Sequence, residues 1–313
     1  RFIWQPNLMP PFVILFMFAL FEGVVRRRKG WLFPALVLYG LLYQMHPTAV
    51  LLAAPLVVAV ILAPETFRWR DIGLAIVCLL IIFSPYLLFE YLTKFADIKG
   101  ALTFAKQPSK WDGQALYFYQ LFLSPGDPTA SYPGSLLMRV SRKLSWIGSV
   151  SFFLVIVGAL LVLAMIIVPR VHNRDEQEKT STSSLRSFWQ WWTRFRTDGY
   201  TCGLVLLLVW QIVPLVVLSH HSIGLHAQYF FLLFPGPFVL IGILVAKIVE
   251  WTRHHQLWTA LIRYVTYGLI ALLVLAQLAG SVALVVDNGM GNFNDRVFYP
   301  YHNALSSLQN ALS

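Results

Sequence analysis

Apolar runs of bilayer length recur along this 313-residue chain, and that recurrence excludes most folds open to a sequence of its size. A hydrocarbon core about 30 Å thick needs about 17–25 apolar residues per helical crossing. Runs near that length can be drawn at 9–25, 31–46, 48–63, 72–93, 146–168, 201–219, 229–249 and 259–286. Only 12% of residues are charged and 58% are hydrophobic, against roughly 25% charged in soluble domains. The chain therefore reads as an all-α integral membrane protein with about eight transmembrane helices. A polytopic domain covers 1–286, and an extracytoplasmic tail follows at 287–313. The start, Arg1-Phe2-Ile3-Trp4, has neither an initiator Met nor a signal-peptide pattern. Asn303 to Ser313 reads as a helix just beginning, so sequence is expected to be missing at both ends.

Orientation follows from Lys and Arg in short loops, where the positive-inside bias counts. Arg26-Arg27-Arg28-Lys29, the pair Arg68 and Arg70, and Arg253 fall in alternate connections, which are assigned to the cytoplasm. The intervening connections, His46-Pro47 and Ser219 to Gln228, contain no Lys or Arg. The formal charge of +10 is accordingly read as topology and lipid-headgroup contact rather than nucleic-acid binding. One long extracytoplasmic loop, 93–145, mixes Lys94, Lys99, Lys106, Lys110, Arg139, Arg142 and Lys143 with Trp111, Tyr117, Tyr119 and Tyr132. The cytoplasmic loop 169–200 opens with a polar run, Asn173 to Ser184, expected to be a flexible connector. Its aromatic and basic end, Phe188 to Arg196, suits a helix at headgroup depth.

Charges within spans are costly and mark candidate sites. Glu22 precedes Arg26 by four residues, the spacing of a helical ion pair, and Arg263 is near enough to a span end to snorkel. Glu90 sits at the outer end of its span with Lys94 one turn later, so it is either an interfacial ion pair or a functional carboxylate. His46 precedes Pro47 in an outer turn, and His220, His221 and His226 populate another. Neither histidine spacing is that of a helical metal pair, and Cys78 and Cys202 lack CxxC or CxxH spacing. No cofactor is expected, and a divalent metal has no motif support. Pro55, Pro85, Pro214 and Pro235 fall within spans, where they free backbone carbonyls beside a neighbour or cavity. No GxxxxGK[ST] loop or GxSxG elbow is present, which leaves nucleotide hydrolysis and serine esterase chemistry without support.

Several short motifs stand in a particular order: Trp4-Gln5-Pro6-Asn7-Leu8-Met9-Pro10-Pro11 before a span, Gln44-Met45-His46 closing the next, Ser84-Pro85-Tyr86-Leu87-Leu88-Phe89-Glu90 before the long loop, and His226-Ala227-Gln228-Tyr229 leading to Phe234-Pro235. In order, spacing and sidedness they resemble bacterial multi-pass glycosyltransferases of the protein mannosyltransferase and aminoarabinose transferase type. That resemblance implies the GT-C architecture, in which outer loops take a sugar from a polyprenyl-phosphate carrier and pass it to a protein, lipid or glycan acceptor. It implies a plasma-membrane enzyme with its active face outside and no nucleotide site. Family members commonly have Asn where this chain has Gln5, and Arg or His where it has Gln228. The family's catalytic acid follows the first span and is expected upstream of Arg1. The resemblance places Trp4, Asn7, His46, Glu90, Lys94, His226, Gln228 and Tyr229 around one substrate-binding cavity. A transporter or flippase, and a polysaccharide polymerase or ligase, are the alternative readings.

Overall fold

The computed structural model describes residues 8–126, 135–177, 192–193, 195–222, 224–252 and 258–289. Each apolar run lies on a helix: α1 Met9–Val24, α2 Leu32–Met45, α3 Ala53–Leu62, α4 Trp69–Leu92, and, beyond three helices of the long loop, α8 Ser145–Gln177, α9 Gly199–Ser219, α10 Gly236–Thr252 and α11 Trp258–Gly289. The loop helices are α5 Ala96–Ala105, α6 Gln114–Phe122 and α7 Leu136–Lys143. Lys110–Trp111 and His220–His221 form a two-residue antiparallel ribbon, β1 and β2.

Among the described residues, four helical stretches are long and apolar enough to cross a membrane: Trp69–Leu92, Ser145–Ile167, Gly199–Ser219 and Ala260–Ala283. Met9–Val24, Leu32–Met45 and Pro47–Leu62 are shorter apolar segments, the 14 residues of α2 spanning only about 21 Å. Leu74, Ile76, Val77, Leu80 and Ile81 all lie exposed on α4. Burying so contiguous an apolar face requires a hydrocarbon solvent. The chain is a helical, membrane-embedded protein.

Local sequence explains most boundaries. Prolines stand in the first turn of α1 and directly after His46, where a missing backbone N–H costs nothing. The run drawn at 48–63 begins as a 3₁₀ segment, Pro47–Leu52, before α3. The run drawn at 229–249 is likewise broken: a 3₁₀ segment covers Ala227–Leu233, and α-helix starts only at Gly236. The carbonyls this break releases are satisfied from α9, where Trp210 Nε1 donates to Leu232 O at 2.8 Å and Gln211 Nε2 to Leu233 O at 3.1 Å. Gly236 leaves the room that Gln211 occupies, since a β-carbon there would collide with its amide. The connector expected to open at Pro169 differs too. α8 continues through that proline to Gln177, because a polar surface does not prevent helix once the helix has left the membrane. Of Phe188 to Arg196, only Trp192, Thr193, Phe195 and Arg196 are described, and they are helical.

Two compact units are present, Arg1–Phe118 with Val155–Leu244, and Tyr119–Leu154 with Val245–Ser313. In the first, α1 packs on α2, α2 on α4, and α9 on α3. Met9, Val13, Phe16, Leu42, Leu52, Leu206 and Phe230 are sealed in its core. In the second, α7 packs on α11, Ile147, Leu273 and Ala276 form a cluster, and Gln277 Nε2 donates to Leu123 O at 2.8 Å.

In the first unit, segments assigned to the same side from Lys and Arg content meet. Arg27, Glu65 and Arg196 come together and form its basic end. The long loop and the turn after α9 meet at the aromatic end through β1 and β2. α2 runs from the first end to the second.

Candidate functional site

At the aromatic end, His46 closes α2 and caps the 3₁₀ segment behind it. Its Nδ1 accepts from the Thr48 backbone N–H at 3.3 Å and lies 2.8 Å from Thr48 Oγ1. Accepting at Nδ1 places the ring proton on Nε2, which makes no hydrogen bond among the described residues. The Tyr229 ring lies 5.1 Å from His46, and the His226 ring stands edge-on to Tyr229 at 5.6 Å. A backbone bond from Tyr229 N to His226 O at 3.0 Å, closing one 3₁₀ turn, sets this second pairing. Gln228 lies on the same turn, half-buried. Among the described residues, the Tyr229 hydroxyl, the His226 ring nitrogens and the Gln228 amide also make no hydrogen bond. Three rings from two distant stretches thus meet, with His46 Nε2, the Tyr229 hydroxyl and the His226 ring nitrogens unbonded among the described residues.

In the ribbon of β1 and β2, by contrast, several polar side chains are paired. Trp111 stacks on His220 at 4.8 Å, and Ser109 Oγ meets His220 Nε2 at 2.7 Å. Asp112 faces His221 Nε2 at 3.0 Å and Lys110 Nζ at 3.0 Å, and accepts from the Gln114 backbone N–H at 2.9 Å. The hydrogen bond from His221, then that from the Gln114 amide, holds the Asp112 carboxyl well below the usual carboxylate range. Sequence reasoning did not single out Asp112 or Ser109. The available signal was Asp112-Gly113 before the apolar face of α6, a helix-capping pattern.

Glu90 lies on α4 with 1% of its surface exposed, and both carboxylate oxygens are buried without a hydrogen-bond partner. The Tyr86 phenol, one turn earlier, is the polar group most closely associated with it. Gln44 Nε2 donates to Ile82 O at 3.3 Å, which ties this part of α4 to the end of α2 that carries His46. Among the described residues, no hydrogen bond, ion pair or ring contact joins Glu90 to His46 or Tyr229. The alternative pair with Lys94 does not form. α4 ends at Leu92, and Lys94 and Phe95 turn left-handed at φ +57° and +60°, which takes Lys94 off the helix face. Lys94 is exposed. Trp4 and Asn7 lie outside the described residues.

The other two charges singled out within spans each have a neighbour. Glu22, 3% exposed, receives Arg26 at 2.7 Å and Arg28 at 2.8 Å. Arg263 lies over the Tyr264 ring at 5.9 Å. Among the described residues no group of three or more His, Cys, Asp or Glu is placed to hold a metal ion. No family model, curated protein or solved structure matches the chain.

Proposed function

We propose that this chain is the membrane portion of a glycosyltransferase that crosses the plasma membrane about eight times. It would take a sugar from a polyprenyl-phosphate donor on the extracytoplasmic side and pass it to a protein, lipid or glycan acceptor. The supporting observation is the convergence of His46, His226 and Tyr229, whose His46 Nε2, His226 ring nitrogens and Tyr229 hydroxyl have no partner among the described residues. These come from two of the stretches that resemble the family.

In this reading His46 donates from Nε2–H to a sugar or phosphate oxygen, and Tyr229 offers both a ring face and a hydroxyl. Gln228 and His226 line the same turn. Lys94, exposed beside the bilayer, offsets charge that develops on the departing polyprenyl phosphate. Glu90 orients a substrate hydroxyl. All of these are binding roles rather than proton transfer. The full-length protein, reconstituted with polyprenyl-phosphate sugars, is expected to transfer sugar, and His46→Gln is expected to lower turnover by roughly tenfold or more. Failure of the wild-type protein to transfer to any lipid, glycan or protein acceptor counts against the proposal.

One observation favours a carrier instead. The segment 227–235 is a broken helix whose Leu232 and Leu233 carbonyls are held by α9, and broken helices are a device of secondary transporters. Solute uptake into proteoliposomes, without sugar transfer, would decide for that reading.

A further inference from the structure

We propose that the basic end of the first unit holds a binding site for a phosphate group, formed by Arg27, Arg196, Thr193 and Thr197, with Glu65 as an exchangeable internal occupant. The two guanidinium groups grip one carboxylate: Arg27 Nη1 meets Glu65 Oε1 at 2.8 Å and Arg196 Nη2 meets Glu65 Oε2 at 2.9 Å. Both arginines are also anchored on a single carbonyl, Leu62 O, at 2.9 and 3.3 Å. Shared anchoring fixes the spacing of the two cations whatever anion lies between them.

The arrangement is unbalanced in a way that favours a more highly charged anion. Two permanent positive charges face one negative charge, and a guanidinium has five N–H donors, of which each of these directs only a few at Glu65 and Leu62. A cavity of about 390 Å³ opens beside them, lined by Arg27, Glu65, Thr193, Arg196 and Thr197. Thr193 and Thr197, both exposed, stand four positions apart in that lining. Planar forks plus hydroxyls suit a tetrahedral phosphate, which takes donors from several directions. Glu65 is half-exposed at 51% on a three-residue 3₁₀ turn, whereas the arginines are held at 25% and 28%. The acid is therefore the member free to leave.

The cap of α1 presents Arg27 to the cluster: Arg27 sits at φ +55°, the left-handed residue of a helix C-cap in which the Arg28 amide donates back to Glu22 O at 3.2 Å. Its neighbours Arg26 and Arg28 turn the other way and are taken up by Glu22. The cluster joins the ends of α1 and α3 to the start of α9, all at membrane-helix termini. The phosphate can therefore belong to a lipid headgroup or be free in solution.

The test uses the full chain, delipidated in detergent, with three probes: inorganic phosphate, dioctanoyl phosphatidylglycerol, and dioctanoylglycerol, which lacks phosphate. Native mass spectrometry or thermal-shift titration reads the binding. Phosphate-bearing probes are expected to bind and dioctanoylglycerol not to. Glu65→Gln, which removes the competing charge, is expected to tighten binding about five- to tenfold, and Arg27→Gln or Arg196→Gln to weaken it at least tenfold. Binding of both phosphate probes assigns the site to the phosphate group at large, and binding of phosphatidylglycerol alone assigns it to a lipid headgroup. Equal binding of dioctanoylglycerol overturns the proposal. Absence of binding in both wild type and Glu65→Gln does so too, as does unchanged or weaker binding in Glu65→Gln, which would make the cluster an ion bridge only. Should the arginine variants fail to fold, the exposed Glu65→Gln position still decides.

Discussion

Glu22 and Glu90 are buried to the same degree, at 3% and 1% exposure, yet one carboxylate meets two arginines and the other meets none. Both occupy the last turns of apolar helices. The difference lies in the residues just beyond each helix end. After α1 the chain supplies Arg26 and Arg28, whose heads reach back to Glu22. After α4 it supplies Lys94, but a left-handed turn carries that residue away. A buried carboxylate that is paired stabilises a helix end, whereas one left bare has a cost that a ligand would relieve. Burial alone therefore does not distinguish a scaffold from a site, and the cation inventory does.

The strongest way to break this comparison is to give Glu22 the surroundings of Glu90. Arg26→Gln with Arg28→Gln leaves Glu22 buried without a cation, and stability is expected to fall by about 3 kcal/mol. Denaturant or thermal unfolding in detergent measures it. A loss below about 1 kcal/mol would mean that Glu22 reaches water once its partners are gone, and the two glutamates would then not be comparable.

A smaller, local effect is expected at the ribbon that closes the aromatic end. The Asp112 carboxyl is held below its ordinary value of 3.8, so its contribution is present above that value and is lost as pH falls through the lower, folded one. Hydrogen exchange should find the Gln114 amide, which donates to Asp112, protected at pH near 5 and opening as the solution is acidified below about 4. Asp112→Asn should remove that pH dependence while keeping the helix-capping oxygen. Unaltered acid sensitivity in the variant would assign it to another group.

The element plan was legible because hydrocarbon thickness leaves a coarse record, and each apolar run contains a helix, although the helices expected at 48–63, 146–168 and 229–249 differ from those bounds by five to nine residues at one end. Breaks inside runs were not legible. Ala227–Leu233 is as apolar as the helices beside it, and hydropathy does not distinguish 3₁₀ from α hydrogen bonding. Only Pro235-Gly236 hinted at the interruption. The ion pair of Glu22 with Arg26 could be read from spacing because both lie along one helix, while Glu90 with Lys94 misled because a loop turn intervened. Non-local meetings were beyond spacing rules altogether. Lys110 with His221, and Arg196 with Glu65, are joined across 111 and 131 positions by packing.

The smallest expected change in stability, and the sharpest test of the comparison, is Glu90→Gln. Glutamine keeps the length and branching of the side chain and removes its charge. At Glu22 the same exchange would forfeit two ion pairs, but at Glu90 no cation is lost, and the associated Tyr86 phenol can donate to a glutamine oxygen as it would to a carboxylate. The unfolding midpoint should therefore stay within the equivalent of about 0.5 kcal/mol of wild type, or rise, because an uncompensated buried charge is removed. Turnover should behave differently. If Glu90 orients a substrate hydroxyl, the full-length protein carrying Glu90→Gln should transfer sugar at least tenfold more slowly, about 1.4 kcal/mol of transition-state stabilisation. Destabilisation above about 1 kcal/mol would show that the carboxylate has a structural partner, which would return it to the class of Glu22. Unchanged stability with unchanged turnover would leave His46, His226 and Tyr229 as the site and remove Glu90 from it.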